Sequence, residues 1–487
     1  DAEAGPVLMK DDGLLPDAVG GDGIYSAALA TTGPGPGEML RWRFEAEDDE
    51  GVVTRLPAFA SATDSPEYFG TVALDPSTAT SQLPVLLWFV QGSPTNGPTL
   101  AAFRGSCYYL DRFYDNIGHE IHGQSTSGFP KKSYDFDFNT NHRFFWEEGE
   151  RRLKDVNLLT NYADKTKARN TISHWAGMVA GTPYHFAFPV RVHLNGVFHG
   201  VLDMVEDGDD RMLERNGLDP EGALYKIYST NFVTSVEKKT RKDEDNSDLQ
   251  ALYDALDTAL PLTNRQTYAY DNFDIPATIN YLAVRSLNSD GDHGHKNYYL
   301  YRDSEGNREW RPIIWDVDLS QGHNFNATER YFDDDLISNN ALDRGYNRFY
   351  AVIRESPEMR QMFVRRMRNL MDSLLQPPGT TNGIFESELR AIAAGIDPDP
   401  ADPSPWTDGD LDAARWGFHT NFVANRPREE VERVIGDYLG PRRSFLFNTG
   451  VGRPLFQGVP LPDAPQANAP GMVTFDSVDF NPESGTQ

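Results

Sequence analysis

The residues with the greatest chemical capacity lie between Asn288 and Gly322, where Asp290 and Asp292 occupy a Gly- and His-rich loop and Asp316 and Asp318 follow an apolar run. Two short clusters of hard carboxylate oxygens, with Asn297 between them, suit a divalent cation and the orientation of a hydroxyl nucleophile. Such clusters act only if the chain brings them together. NYYLYRD (297–303) reads as a strand of alternating aromatic and polar residues, SEGN as a turn, and WRPIIWDVD (310–318) as the return strand. A hairpin of this kind delivers both clusters to one end.

Further groups lie upstream. GQSTSGFPKK places a small polar loop before Lys131 and Lys132, a pattern that can cover and neutralise phosphates, although most lysine pairs are simply solvated. From Asp164 as N-cap, Ala168, Ile172, Trp175, Ala176 and Val179 keep a helical period as far as Gly181. Arg169 and Asn170 fall near its start, where an arginine either binds phosphate or carboxylate at a cleft edge or faces water. FPVRVHLNGVFHGVLDMVE is a hairpin turning at Asn195-Gly196 and ending in Glu206. His293 and His295 are spaced for a transition metal as well as for a plain loop, while His119 and His122 lack the spacing of a zinc peptidase.

The whole chain sets limits on what these groups do. With 487 residues, two or three domains are expected, and 39% hydrophobic and 12% aromatic residues indicate packed cores. A formal net charge of −28 opposes nucleic-acid backbones and anionic membranes as main partners. One cysteine, Cys107, excludes an internal disulfide framework and a cysteine-based zinc site. No apolar run is long enough to span a bilayer.

Residues 1–80 alternate short apolar runs with Asp/Gly turns, as an Ig- or fibronectin-like β-sandwich does, here N-terminally truncated. Asp12, Asp17, Asp22 and Asp48 are candidate calcium (Ca²⁺) ligands, with turn-capping carboxylates as the plainer reading. LPVLLWFV (83–90) opens the next region as a buried strand, and RGSCYYLDRFYDNIGHEIHG reads as a hairpin turning at Asp115-Asn116. After Gly322 the chain turns helical, with a Met/Leu stripe through Met359, Phe363, Met367 and Leu370. Asp397, Asp399, Asp402, Asp408, Asp410 and Asp412 fall in a Pro-rich stretch expected to be a solvated loop, with calcium as its other reading. Residues 451–470 read as a Pro/Ala linker, and 471–487 resemble the start of a truncated lamin-tail-like β domain.

GQSTSGFPKKSY, LLTNYADKTKARN, PVRVHLNGVFHGVLDMVE, GALYKI, NSDGDHGHKNYYLYRD and WRPIIWDVDLSQG, in that order, resemble the spore coat protein H (CotH) kinase-like family over residues 83–450. The resemblance implies an α+β, divergent two-lobed protein-kinase-like fold, preceded by the small all-β module. It also implies a bacterial, secreted or cell-surface phosphotransferase that uses ATP with Mg²⁺ or Mn²⁺ to phosphorylate serine on an exported protein.

By the same resemblance, Asp290 or Asp292 is the catalytic base. Lys131, Lys132, Arg169, Asn170 and Glu206 serve the nucleotide, and Asp316, Asn297 and Asp318 serve the metal. The local N-x-D signature favours Asp290, whereas Asp292, five positions before Asn297, has the spacing of an ordinary kinase catalytic loop. The signature is preferred, because divergent loops change length readily. There is no G-x-G-x-x-G, V-A-I-K, H-R-D or D-F-G in the chain, so general kinase motifs alone would miss it. The competing reading is a non-catalytic cell-surface binding or matrix-assembly module on a kinase-like scaffold.

Overall fold

A computed structural model describes residues 5–29, 33–92, 103–323, 347–398, 406–418 and 426–465. Expectations for 471–487, and for Asp399 and Asp402, lie outside these residues. The architecture is mixed α+β.

Residues 5–72 form two antiparallel ribbons. In one, β1 (Met39–Trp42) pairs with β4 (Phe69–Val72); in the other, β2 (Phe44–Glu47) pairs with β3 (Val53–Leu56). Sandwich character was expected here, but β2 and β3 are mostly exposed, and Val72 packs instead with Leu87 and Phe89 on the following domain. Asp115 fastens this region by accepting the backbone N–H groups of Glu67 and Tyr68 at 2.9 and 2.8 Å.

A closed barrel follows. Its strands are β5 (Val85–Val90), β6 (Arg104–Tyr109), β7 (Arg112–His122), β8 (Ser133–Asp137), β9 (Asp155–Leu159), β10 (Ala187–Leu194) and β11 (Val197–Glu206). Closure comes from β5 running parallel to β10, which removes both sheet edges. Trp88, Tyr114, Tyr134, Phe136 and Leu202 fill the interior. The β10–β11 turn lies at Asn195-Gly196, with both φ values positive as a type I′ turn requires. The β6–β7 turn is not at Asp115-Asn116 but at Leu110-Asp111, with φ of 44° and 60°; the expected turn residues lie inside β7, where Asp115 serves as the anchor just described.

Helix α1 (Arg169–Val179) lies between β9 and β10, and α2 (Asp210–Arg215) follows β11. Asp164 accepts the N–H groups of Ala168 and Arg169, so it caps α1 although the helix begins later than its apolar period suggests.

The second half is built on an antiparallel sheet in the order β13-β12-β14-β15, from β12 (Ala223–Ile227), β13 (Val236–Lys238), β14 (Tyr298–Arg302) and β15 (Trp310–Ile314). Helices α3 (Ser247–Ala255), α4 (Leu262–Asn272) and α5 (Ile275–Leu287) precede β14. After β15 come α6 (Arg348–Glu355), α7 (Pro357–Leu370), α8 (Ile384–Ile396), α9 (Asp408–Trp416), α10 (Pro427–Val434) and α11 (Gly440–Leu446).

The β14–β15 hairpin pairs Tyr298 with Ile314 and Arg302 with Trp310. Alternation of β14 does not separate buried from solvated residues. Tyr298 and Leu300 join the helical core, whereas Tyr299 and Tyr301 pack with Trp315 and Val205 against the barrel side. The sheet is therefore buried on both faces and lies between barrel and helices.

Two stretches differ from expectation. Residues expected to be linker carry β16 (Leu455–Phe456) and β17 (Val459–Pro460), and Phe456 is buried against Phe363 at 4.3 Å between ring centroids. The acidic stretch expected to be a solvated loop forms α9, whose Asp408 and Asp412 are buried, and Asp397 is buried as well.

Candidate functional site

α5 is buried almost throughout and begins at Asp274, whose carboxylate accepts the Ala277 N–H. One turn before its end it carries Arg285, a cation in an apolar helix. Arg285 pairs with Asp290 at 2.5 Å and donates to the carbonyls of Asn297 (3.3 Å) and Trp315 (3.1 Å). One guanidinium thus ties together the loop after α5, the start of β14 and the end of β15. The two acidic loops also bind each other directly: Gly291 N–H donates to Leu319 O, and Gln321 N–H donates to Asn288 O. Ser289, Asn297, Asp316 and Gln321 all have positive φ, between 46° and 63°. Left-handed backbone at non-glycine residues costs free energy, and its concentration here marks a loop geometry imposed by its surroundings.

The carboxylates divide into two kinds. Asp290 is 1% exposed and locked to Arg285; burial pushes it up to about 7 against the guanidinium's pull. Asp292 is partly open, with a side chain 22% exposed beside Lys296 and His295, each at 3.3 Å. It accepts a hydrogen bond from the Asn297 amide at 2.8 Å. Burial alone would raise Asp292, but His295 and Lys296 outweigh it and hold it below the ordinary carboxylate value. Asp316 and Asp318 lie beyond the strand end, and among the described residues neither carboxylate has a hydrogen bond or ion pair. Burial, then the charge of Asp292, raises Asp316; burial, then Asp316 and Asp292, raises Asp318 far more.

Asp316, Asp318 and Asn297 carry hard oxygens of the kind that Mg²⁺ or Mn²⁺ takes as ligands, and they are the residues that would hold such an ion. The charge of Asp316 raises the proton affinity of Asp318, and among the described residues neither is ion-paired, which fits that use.

The structure places the remaining expected residues as follows. Lys131 is fully buried, and its three N–H bonds are all committed: to Asn161 at 2.8 Å, to Val201 O, and to Asp412 at 2.6 Å. No donor is left for a phosphate, so its assignment to the nucleotide is revised. Lys132 donates to the carbonyls of Ser127 and Phe129 and so braces the 123–130 loop from the outside. Arg169 is buried between Asp164 (2.5 Å) and the Ser320 carbonyl (3.1 Å), with Asn170 buried beside it. That arginine fixes the 319–321 loop through the Ser320 carbonyl. Glu206 is taken up in a two-pronged pair with Arg215, at 3.0 Å from Nε, and this revises its nucleotide assignment too. Its neighbour Asp207 pairs with Lys239 at 2.7 Å.

Sequence reasoning missed Arg285, Asp207 and the acidic helix α9. A lone arginine in an otherwise apolar helix was the available signal for the first. Of the calcium candidates, Asp17 and Asp22 meet Asp11, with one carboxylate oxygen of each within 4.8 Å of the others. Asp12 and Asp48 cap their own turns instead. The three clustered carboxylates already accept backbone N–H groups from Gly13, Gly21, Gly23 and Ile24.

A family model described as CotH kinase protein matches residues 120–444, more than half of the chain, and takes in both acidic loops, Arg285 and α9. The chain belongs to the CotH kinase family. The match begins inside β7, so the barrel of this CotH protein closes with two strands that lie ahead of it. No curated protein matches.

Among solved structures, the Helicobacter pylori proinflammatory kinase CtkA aligns with 63% of this chain and 94% of its own at 10% identity, with a TM-score of 0.26. The HipA, HipB and operator DNA complex of the Shewanella oneidensis MR-1 toxin–antitoxin system aligns with 64% of this chain and 66% of its own, at 12% identity and a TM-score of 0.26. Neither likeness is close enough to carry an argument about this CotH protein.

Proposed function

We propose that this CotH-family protein is an atypical kinase that transfers the γ-phosphoryl group of ATP to a serine of an exported protein, at the cell envelope or outside the cell. The observation that carries this reading is the pairing of Asp292 with Asn297, close enough to Asp316 and Asp318 for the charge of Asp292 to raise both. Asp292 is ionised and reachable, so it accepts the proton of the serine hydroxyl as that oxygen attacks phosphorus and ADP leaves. Geometry takes precedence over proton affinity here: Asp290 has the higher pKa but is sealed against Arg285, and its role is to position the loop. Asn297 holds Asp292 through its amide N–H and keeps its oxygen for a cation shared with Asp316 and Asp318. Mg²⁺ or Mn²⁺, when bound there, supplies positive charge for the phosphates.

Residues 83–450 are taken as the kinase unit. No helix among the described residues is long and apolar enough to cross a membrane. The test is transfer of labelled γ-phosphate from ATP to protein by the wild type, Asp292→Asn and Asp316→Ala. Transfer by the wild type and its loss in both variants is expected. Absence of transfer together with absence of ATP binding in the wild type would favour a binding scaffold.

A further inference from the structure

With Lys131 committed elsewhere, the nucleotide reading needs another cation, and one side chain stands apart. Lys226 lies on β12 opposite Tyr299 of β14, on the sheet face turned toward the barrel. The residue is 7% exposed, and its ammonium rests 4.5 Å from the centre of the Trp315 ring, with Tyr228 and Tyr299 each at 5.9 Å. Among the described residues that ammonium makes neither a hydrogen bond nor an ion pair. The other lysines nearby are satisfied: Lys154 by Asp209 and Asp210, Lys167 by Asp412, Lys239 by Asp207, and Lys296 by Asp292. A cation withdrawn from water onto aromatic faces, with carboxylates near but none in contact, is costly unless an anion completes it.

Position identifies the anion. Trp315 immediately precedes Asp316, and Lys226 is near enough to lower both Asp316 and Asp207. An anion in contact with Lys226 therefore lies beside the Asp316/Asp318 pair and has to tolerate it. A chain of phosphates does so, because it binds the ammonium at one point and a divalent cation at the next. We infer that Lys226, held by Trp315, is the lysine that binds the nucleotide polyphosphate, so this cation comes from the sheet of the second half and not from the barrel. The inference rests on the kinase reading.

Calorimetric titration of the full chain with ATP, ADP and adenosine, in the presence of Mn²⁺, tests it. Lys226→Met is expected to weaken ATP by about 10- to 100-fold, the effect of one lost charge-assisted contact, and to leave adenosine unchanged. Lys226→Arg restores part of the ATP affinity, and Lys226→Met melts no lower than the wild type, because it removes an unpaired buried charge. Equal ATP affinity in wild type and Lys226→Met overturns the assignment while the kinase reading stands. Equal loss of ATP and adenosine, or a lowered melting temperature, also overturns it by making Lys226 a structural residue. A wild type that binds no ATP overturns both.

Discussion

Two acidic clusters in this protein have the same side chains and opposite circumstances. On α9, Asp412 meets Lys131 and Lys167, each at 2.6 Å, and also accepts the Val201 N–H, while Asp408 meets Arg191 at 2.8 Å. Gly200 leaves the room this requires, since a side chain there would fall 2.8 Å from Asp412 Oδ1. Every charge has its counter-charge, and the cluster fastens a helix to the barrel. At the hairpin end, Asp316 and Asp318 have no ion pair among the described residues. Burial and like charge raise both, whereas at Asp412 burial is outweighed by the two lysines, which hold it at about 2. Pairing, not acidity, separates the two clusters: one is neutralised by its neighbours, and the other has charge to offer a ligand.

The comparison breaks most easily at Asp412. Asp412→Ala leaves Lys131 and Lys167 buried without the carboxylate that pairs both, and a loss of about 3–5 kcal/mol in urea unfolding is expected. A loss below about 1 kcal/mol would mean that α9 is not held by these charges. At the other cluster the same kind of change costs function instead: Asp292→Asn is expected to lower turnover by about 10²–10⁴ while nucleotide affinity stays constant. Asp290→Asn weakens the Arg285 pair, so it lowers stability as well as turnover. The reverse pattern would return the base to Asp290.

A smaller effect of opposite sign sharpens the contrast. Asp318→Asn removes one of two repelling charges, so the metal-free protein is expected to gain roughly 1 kcal/mol, as relief of unfavourable charge at functional sites commonly yields. The Mn²⁺-dependent rise in melting temperature should disappear in the same variant. A destabilised Asp318→Asn would show that Asp318 has a structural partner.

What could be read in the sequence follows from how local the physics is. The β14–β15 hairpin and the Asn195-Gly196 turn were legible because strand periodicity and turn chemistry act over a few residues. The order of Asp290, Asp292, Asn297, Asp316 and Asp318 along that hairpin was legible for the same reason. The α9 network was not, because Asp412 and Lys131 are 281 positions apart, and local composition shows only an acidic, Pro-rich stretch. Barrel closure depends on an equally remote pairing, of β5 with β10. At Lys131 and Lys132 the residue type was informative, but only tertiary structure shows that the first has spent its donors. The choice between Asp290 and Asp292 turned on Arg285, whose partner no spacing rule reveals.

The slowest-varying difference between the clusters is their response to pH, and its sign is opposite at the two sites. Asp412 is held at about 2 in the folded protein against an ordinary 3.8, so its contribution is present above the ordinary value and is lost as pH falls from about 4 toward 2. Asp318 is raised in the folded protein, so the proton is held more tightly in the native state, and stability is lost as pH rises above about 4 toward its raised value. The advantage of Asp318→Asn over the wild type should therefore be absent near pH 4 and grow toward neutrality, and Mn²⁺ should cancel it by neutralising the same charge in the wild type. The deficit of Asp412→Asn should be full at neutrality and shrink below pH 4. Chemical unfolding of both variants across that range reads the two slopes directly. Slopes of the same sign would mean that the hairpin carboxylates are paired after all, and the distinction on which the active-site assignment rests would fall.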